Sequence, residues 1–235
     1  MKDHAGRSSS VWMTTAIVPS FSKLIANEQA EVAIVGAGIA GLTTAYLLGQ
    51  AGKSVVVLDD GPIVSGETER TTAHLVTALD DRYIDLERLH GDKGAQLAAE
   101  SHSAAIDQIE RVVHHERIDC DFERLNGYLF VSPGESTEIL DRELAAAQRA
   151  GLRDLHMVAR APIASFDTGR ALCFPRQAQF HPLKYLAALS QAIIRDGGRI
   201  YTETHAAKIE GGKSARIETG DGRTVTAGAV VVATN

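Results

Sequence analysis

Two short runs of consecutive apolar residues stand in the first quarter of this chain, Val32-Ala33-Ile34-Val35 and Val55-Val56-Val57-Leu58, and each stops at glycine or acidic positions. An unbroken apolar run of this length marks a strand buried on both faces, as in a parallel sheet covered by helices. Between the runs, Leu42-Thr43-Thr44-Ala45-Tyr46-Leu47-Leu48 has helix-compatible spacing and Gly52 supplies a stop. The pattern predicts a strand over 31–35, a helix over 38–50 and a strand over 54–58, which together make a βαβ unit.

The rest of the chain is read the same way. Residues 1–30, with Ser8-Ser9-Ser10 and Pro19, form an arm expected to run over the surface outside the first sheet. The polar stretch 61–81, with Gly66 and Arg70-Thr71-Thr72, is too long for a simple connection and is a candidate functional loop. Ala98, Ala105, Ile106, Ile109, Val112 and Val113 recur at helical spacing, leaving Glu110, Arg111, His114, His115 and Glu116 for solvent. A strand over 129–131 ends at Pro133-Gly134, and a helix over 136–150 closes at Gly151. Short extended pieces fill 171–180. Pro182 then opens a helix whose buried stripe is Leu183, Leu186, Leu189, Ile193 and Ile194, stopped by Gly197-Gly198. The tail reads as separate strands over 199–202, 207–210, 215–219, 224–227 and 229–233.

Composition narrows the function classes. With 44% hydrophobic and 23% charged residues over 235 positions, the chain has the make-up of an ordinary globular protein. A net charge of −6 with interspersed signs offers no basic stripe for nucleic acid. The uncharged stretch 32–49 has the 18 positions of a membrane span, but its glycine-dense turn favours the strand-turn-helix reading. Cys120 and Cys173 lack close Cys or His partners, so they read as buried thiols, with no metal site. The first twenty residues make a poor secretory signal, and a cytoplasmic location is expected.

The candidate chemistry lies in Val35-Gly36-Ala37-Gly38-Ile39-Ala40-Gly41, a strand running into G-x-G-x-x-G at a helix start. Gly36 permits a tight turn, Gly38 removes a side chain where a pyrophosphate must approach, and Gly41 lets helix and strand lie close. The N–H groups of Ile39, Ala40 and Gly41 then face the phosphates with the positive end of the helix dipole. Asp59 ends the second strand 23 positions after Gly36 (59 − 36), near the separation of about 20 expected of a carboxylate on the ribose hydroxyls. That carboxylate argues against a ribose phosphate and so against NADP. Asp60 is a neighbour able to share or take over the role. Spacing alone does not separate FAD from NAD.

Four stretches, 32–41, 55–61, 180–186 and 224–235, resemble the D-amino acid oxidase-like superfamily of FAD-dependent oxidoreductases, which includes glycine and sarcosine oxidases. Thr71-Thr72-Ala73-His74-Leu75 with Leu79-Asp80-Asp81-Arg82-Tyr83 further resembles a bacterial branch carrying a C-terminal Rieske domain, though no Cys-x-His pair occurs here. The resemblance implies an α/β fold, a Rossmann-like FAD-binding βαβ domain with a partial α+β substrate domain inserted. Its expected parts are an arm at 1–30, FAD-binding segments at 31–120 and 174–235, and the substrate segment at 121–173. It implies FAD as cofactor, with the pyrophosphate on Gly36, Gly38 and Gly41 and the adenosine ribose on Asp59. Arg70, Thr71 and Thr72 would pass the pyrophosphate and flavin, and Ala206 would meet the adenine.

The reaction implied is hydride removal from the carbon beside a nitrogen of an amine or amino acid, in which the flavin carries the chemistry. No catalytic residue is named, because the family's substrate contacts lie largely beyond residue 235. The chain is therefore expected to be an N-terminal portion that either associates or needs its missing C-terminal half. His181 reads as a helix cap rather than a catalytic group, and His74 as a plain histidine rather than a flavin attachment point. An NAD-dependent dehydrogenase and a non-catalytic dinucleotide-binding module remain the alternatives.

Overall fold

The computed structural model describes residues 9–132, 134–212 and 214–234. Residues 1–8, Pro133, Lys213 and Asn235, including the first serine of the arm and the proline expected to end a strand, lie outside the described residues. The elements in chain order are α1 (Val11–Thr15), β1 (Glu28–Val35), α2 (Ile39–Gln50), β2 (Val55–Leu58), a 3-10 helix (Glu67–Arg70) and β3 (His74–Leu75). Then come α3 (Tyr83–Glu116), β4 (Glu123–Phe130), α4 (Glu138–Arg149), β5 (His156–Val158), β6 (Ala171–Gln179) and α5 (Pro182–Arg195). Four strands follow: β7 (Arg199–Tyr201), β8 (Ala206–Glu210), β9 (Ala215–Thr219) and β10 (Thr224–Val232).

The chain divides into two compact units: Met1–Thr72 with Glu116–Cys120 and His181–Asn235, and Ala73–His115 with Asp121–Phe180. The first is built on a sheet in the order β7-β2-β1-β10-β9-β8. Strands β7, β2, β1 and β10 are parallel, and β9 and β8 add antiparallel strands at one side. The Val55–Leu58 strand is wholly buried, as its unbroken apolar run required. On one face, Leu24, Ala33, Val56, Leu58, Ile217 and Val225 form a core. The other face carries α2, held so close that a Cβ on Gly41 would lie 3.5 Å from the Ile34 side chain.

Two expectations for this unit change. Among the described residues before β1 the arm does run over the surface, but it is anchored: Leu24 is buried in the core and Thr202 Oγ1 donates to Phe21 O at 2.6 Å, and the first strand begins at Glu28, earlier than expected. The strands expected at 224–227 and 229–233 are one. Gly228 does not break β10, because it sits where a Cβ would come within 3.1 Å of Glu31 O, a backbone approach that only glycine tolerates comfortably.

The second unit is an antiparallel sheet, β3-β6-β4 with β5 also paired to β6. It takes in more of the chain than the 121–173 expected. His74 and Leu75 pair with Gln179 and Ala178, so the chain joins this sheet straight after the 3-10 helix. Tyr83, Ala95 and Ala99 of α3 pack into the same core as Ala146, Ala147, Leu172 and Phe174. The extended pieces expected at 171–180 are a single nine-residue strand. Leu129 and Phe130 pair here with Leu172 and Ala171, and not in the sheet of β1.

Two further details depart from the pattern. The long helix bends at Gly91, whose φ of 68° interrupts it, and Ala105, assigned to its buried stripe, is exposed. His114 and His115 are exposed, as read. One polar group does take a core position: Glu143 of α4, only 2% exposed, accepts from Tyr83 N at 2.9 Å and Ile84 N at 3.2 Å. It thereby satisfies two of the amides that open α3.

Candidate functional site

The chain runs from β1 to β2 to β7 on one side of the sheet and returns to the other side of β1 as β10. The carboxyl end of β1 is thus the point where strand order reverses, the place where open α/β sheets leave a crevice. The glycine turn begins there. Gly36 N donates to Leu58 O at 2.8 Å and Ala233 N to Val35 O at 2.8 Å, fixing the turn between β2 and β10.

The three glycines are glycine for different reasons. Gly36 has φ +107° and a Cβ there would lie 2.6 Å from Ala233 O, so the turn itself excludes a side chain. A Cβ on Gly41 would fall 1.8 Å from Gly36 O, which excludes any side chain at the close crossing of turn and helix. Gly38 differs: its φ is −81°, and its Cβ would meet only Thr68 Oγ1, at 3.3 Å. The fold does not demand glycine at 38. Its bare backbone caps α2 without a side-chain hydrogen bond, and the amides of Ala40 and Gly41 have no partner among the described residues. Such a surface of free N–H groups at a helix start suits an anion.

Asp59 is brought to this turn. Its Oδ2 accepts from Ala37 N at 2.6 Å and its Oδ1 from Gly61 N at 2.9 Å. Burial pushes its carboxyl above the ordinary aspartate value, against the pull of the bonds from Gly61 and Ala37. Asp60 points elsewhere: it is largely exposed, 3.6 Å from His205 Nδ1, a pair worth little in solvent. The Ala206 segment is anchored beside Asp59 through Thr204 N, which donates to Asp59 O at 2.8 Å, and Ala206 is half-buried at the start of β8.

The loop after β2 reaches the turn through residues the sequence did not single out. Val64, a β-branched residue held at φ 56°, donates its N–H to Ala37 O at 3.0 Å. That conformation is costly for valine and persists because the surroundings impose it. Thr68 Oγ1 accepts from Ile39 N at 3.3 Å. Arg70 pairs with Glu69 and keeps a buried Nε that has no partner among the described residues. Thr71 and Thr72 are exposed at the end of this loop, and His74 lies exposed on the edge strand β3 of the other unit. The signal for Thr68 was its place two residues before Arg70, inside the loop already marked as too long.

A family model described as DAO, FAD dependent oxidoreductase, matches residues 31–235. This chain belongs to the DAO family. Among curated relatives of this DAO chain, the putative Rieske 2Fe-2S iron-sulfur protein YhfW of Bacillus subtilis (strain 168) is 36% identical over 209 residues, covering 88% of this chain and 40% of the relative. Gamma-glutamylputrescine oxidoreductase of Escherichia coli (strain K12) is 29% identical over 210 residues, covering 87% and 49%. Glycine oxidase from Geobacillus kaustophilus shares the fold with a TM-score of 0.72 at 20% identity, covering 88% of this chain and 56% of that one. The DAO chain thus spans less than half the length of these two curated relatives. No helix among its described residues is long and apolar enough to cross a membrane.

Proposed function

We propose that the first unit binds FAD and that the whole protein oxidises a small amine or amino acid. The observation that carries this reading is Gly38: the fold leaves its missing side chain without an internal reason, and a pyrophosphate laid against it supplies one. The amides of Ala40 and Gly41 would hold the phosphates, that of Ile39 being already donated to Thr68 Oγ1, with Gly36 and Gly41 shaping the turn. Asp59 has lone pairs left beyond its two backbone bonds, enough to accept from the adenosine ribose hydroxyls. Arg70, with its buried Nε, and Thr71 and Thr72 would flank the pyrophosphate and flavin side, and Ala206 would pass the adenine.

When bound, the flavin accepts a hydride from the carbon beside the substrate nitrogen. The chain's own residues bind and orient. The turn fixes the phosphates, Asp59 fixes the ribose, and the second unit, with the sheet of β4 and β6, faces the substrate. Completion of the substrate site falls to a C-terminal half or to an associated copy, as the relatives' greater length supports. We place the protein in the cytoplasm, which fits the buried Cys120 and Cys173, neither in a disulfide.

The test is reconstitution with FAD, followed by anaerobic flavin bleaching with glycine, sarcosine, D-amino acids and polyamines. Bound flavin in the wild type and none in Gly38→Leu is the expected result. Equal flavin binding by both proteins would overturn the assignment.

A further inference from the structure

We infer that the N-terminal segment 9–15 is a strap that sets the loop flanking the glycine turn, with Trp12 as a positioning residue for the dinucleotide. The inference rests on the FAD reading above. A four-residue 3-10 helix has few internal bonds, so the position of Glu67–Arg70 is fixed from outside. The strap supplies that fixation on both sides of Arg70. Ser10 Oγ donates to Glu69 O at 2.6 Å, and the indole Nε1 of Trp12, the single tryptophan of the chain, donates to Thr71 O at 2.8 Å.

The strap is itself held. Ser10 Oγ accepts from Met13 N at 3.3 Å and so caps α1. The Trp12 ring stands edge-on to the His181 ring, with centroids 4.9 Å apart. His181 Nδ1 accepts from Lys184 N at 3.3 Å as the cap of α5, which leaves the proton on Nε2 to donate to Thr15 Oγ1 at 2.9 Å. Thr15 Oγ1 passes its own proton to Val11 O at 2.6 Å. One end of the strap therefore grips a long, buried helix and the other grips the loop that delivers Thr68 Oγ1 to Ile39 N.

Three proteins separate the outcomes: Trp12→Phe, which keeps the ring on His181 and loses only the indole donor, Thr68→Val, and the pair combined. FAD affinity is read by titration well below each thermal midpoint. Trp12→Phe should weaken FAD about fivefold, the effect of one neutral hydrogen bond. The combined variant should lose less than the product of the single effects, since both act on one contact. Amide hydrogen exchange without FAD gives a second readout, expected to quicken at 37–41 and 66–72 while β1 and β2 keep their protection. Trp12→Phe with wild-type FAD affinity and unchanged exchange in those segments would overturn the inference. A lowered thermal midpoint with unchanged affinity would do the same, for it would make the strap a stabiliser only. A wild type that fails to bind FAD would sink the proposed function instead, and the exchange result would still decide the strap.

Discussion

Asp59 Oδ2 accepts the backbone N–H of Ala37 at 2.6 Å, so the carboxylate that ends β2 ties down the glycine turn that ends β1. The residue assigned to the ribose thus has work in the protein before any ligand arrives. Its loss should damage the turn and the ligand site together.

That double duty has a pH signature. Burial raises the Asp59 pKa, so between the unfolded and folded values the folded protein binds more protons than the unfolded chain. Its contribution to stability is fullest below the unfolded value and falls as pH rises through the raised folded value. Asp59→Asn removes this fall while keeping one acceptor oxygen for the turn. Urea midpoints of the two proteins across about pH 3.5 to 6.5 should show the wild type losing stability relative to Asp59→Asn as pH rises. A difference of the opposite slope would contradict the assignment.

The glycines should separate under substitution to alanine. Gly41→Ala places a Cβ 1.8 Å from Gly36 O and should destabilise the first unit by at least about 3 kcal/mol. Gly38→Ala should cost within about 1 kcal/mol, because the nearest atom to its Cβ, the Thr68 hydroxyl at 3.3 Å, needs to give only slightly. FAD titration and thermal melts of both variants check this: Gly38→Ala should keep its melting point and lose at least tenfold in affinity, on the order of 1.4 kcal/mol.

In the second unit Glu143 invites a stability test. Glu143→Ala leaves the amides of Tyr83 and Ile84 without their acceptor in a buried setting, which should cost about 1–3 kcal/mol. Glu143→Gln keeps one acceptor and should cost less. Chemical denaturation ranks the three proteins, and an alanine variant as stable as wild type would show that water replaces the carboxylate.

His181 is expected to behave as a cap. His181→Ala should destabilise by about 1 kcal/mol, and His181→Asn, whose side chain also caps, should recover most of that loss. Equal losses in both would mean that the Thr15 and Trp12 contacts, rather than the cap on Lys184 N, carry the effect.

What was legible in the sequence was local. The βαβ unit, the glycine turn and Asp59 are set by neighbours in a continuous pattern, and Pro182 after His181 announced a capped helix. What escaped depends on distant partners. Thr68 meets Ile39 across 29 residues and Trp12 meets Thr71 across 59, and no periodicity marks such bonds. Gly228 read as a stop because glycine is a poor strand former, whereas its use is set by the backbone of Glu31 on the next strand. The early entry into the second sheet was hidden because β3 is only two residues long, too short to leave a pattern.

The pairing of β1 with β10 has a consequence in time. Thr224 N donates to Asn27 Oδ1 at 3.0 Å across 197 residues of chain, and the strand ladder continues from there to Val35 and Val232. During synthesis β1 can pair early with β2, but its other edge stays open until β10 has been made. The strands of the inserted unit, all made by residue 180, have one another as partners much sooner. Closing so long a loop is slow, and an open edge is a site for unwanted strand addition. The nascent chain therefore carries this open edge through the interval between residue 180 and β10, and a chaperone that shields it has its use there.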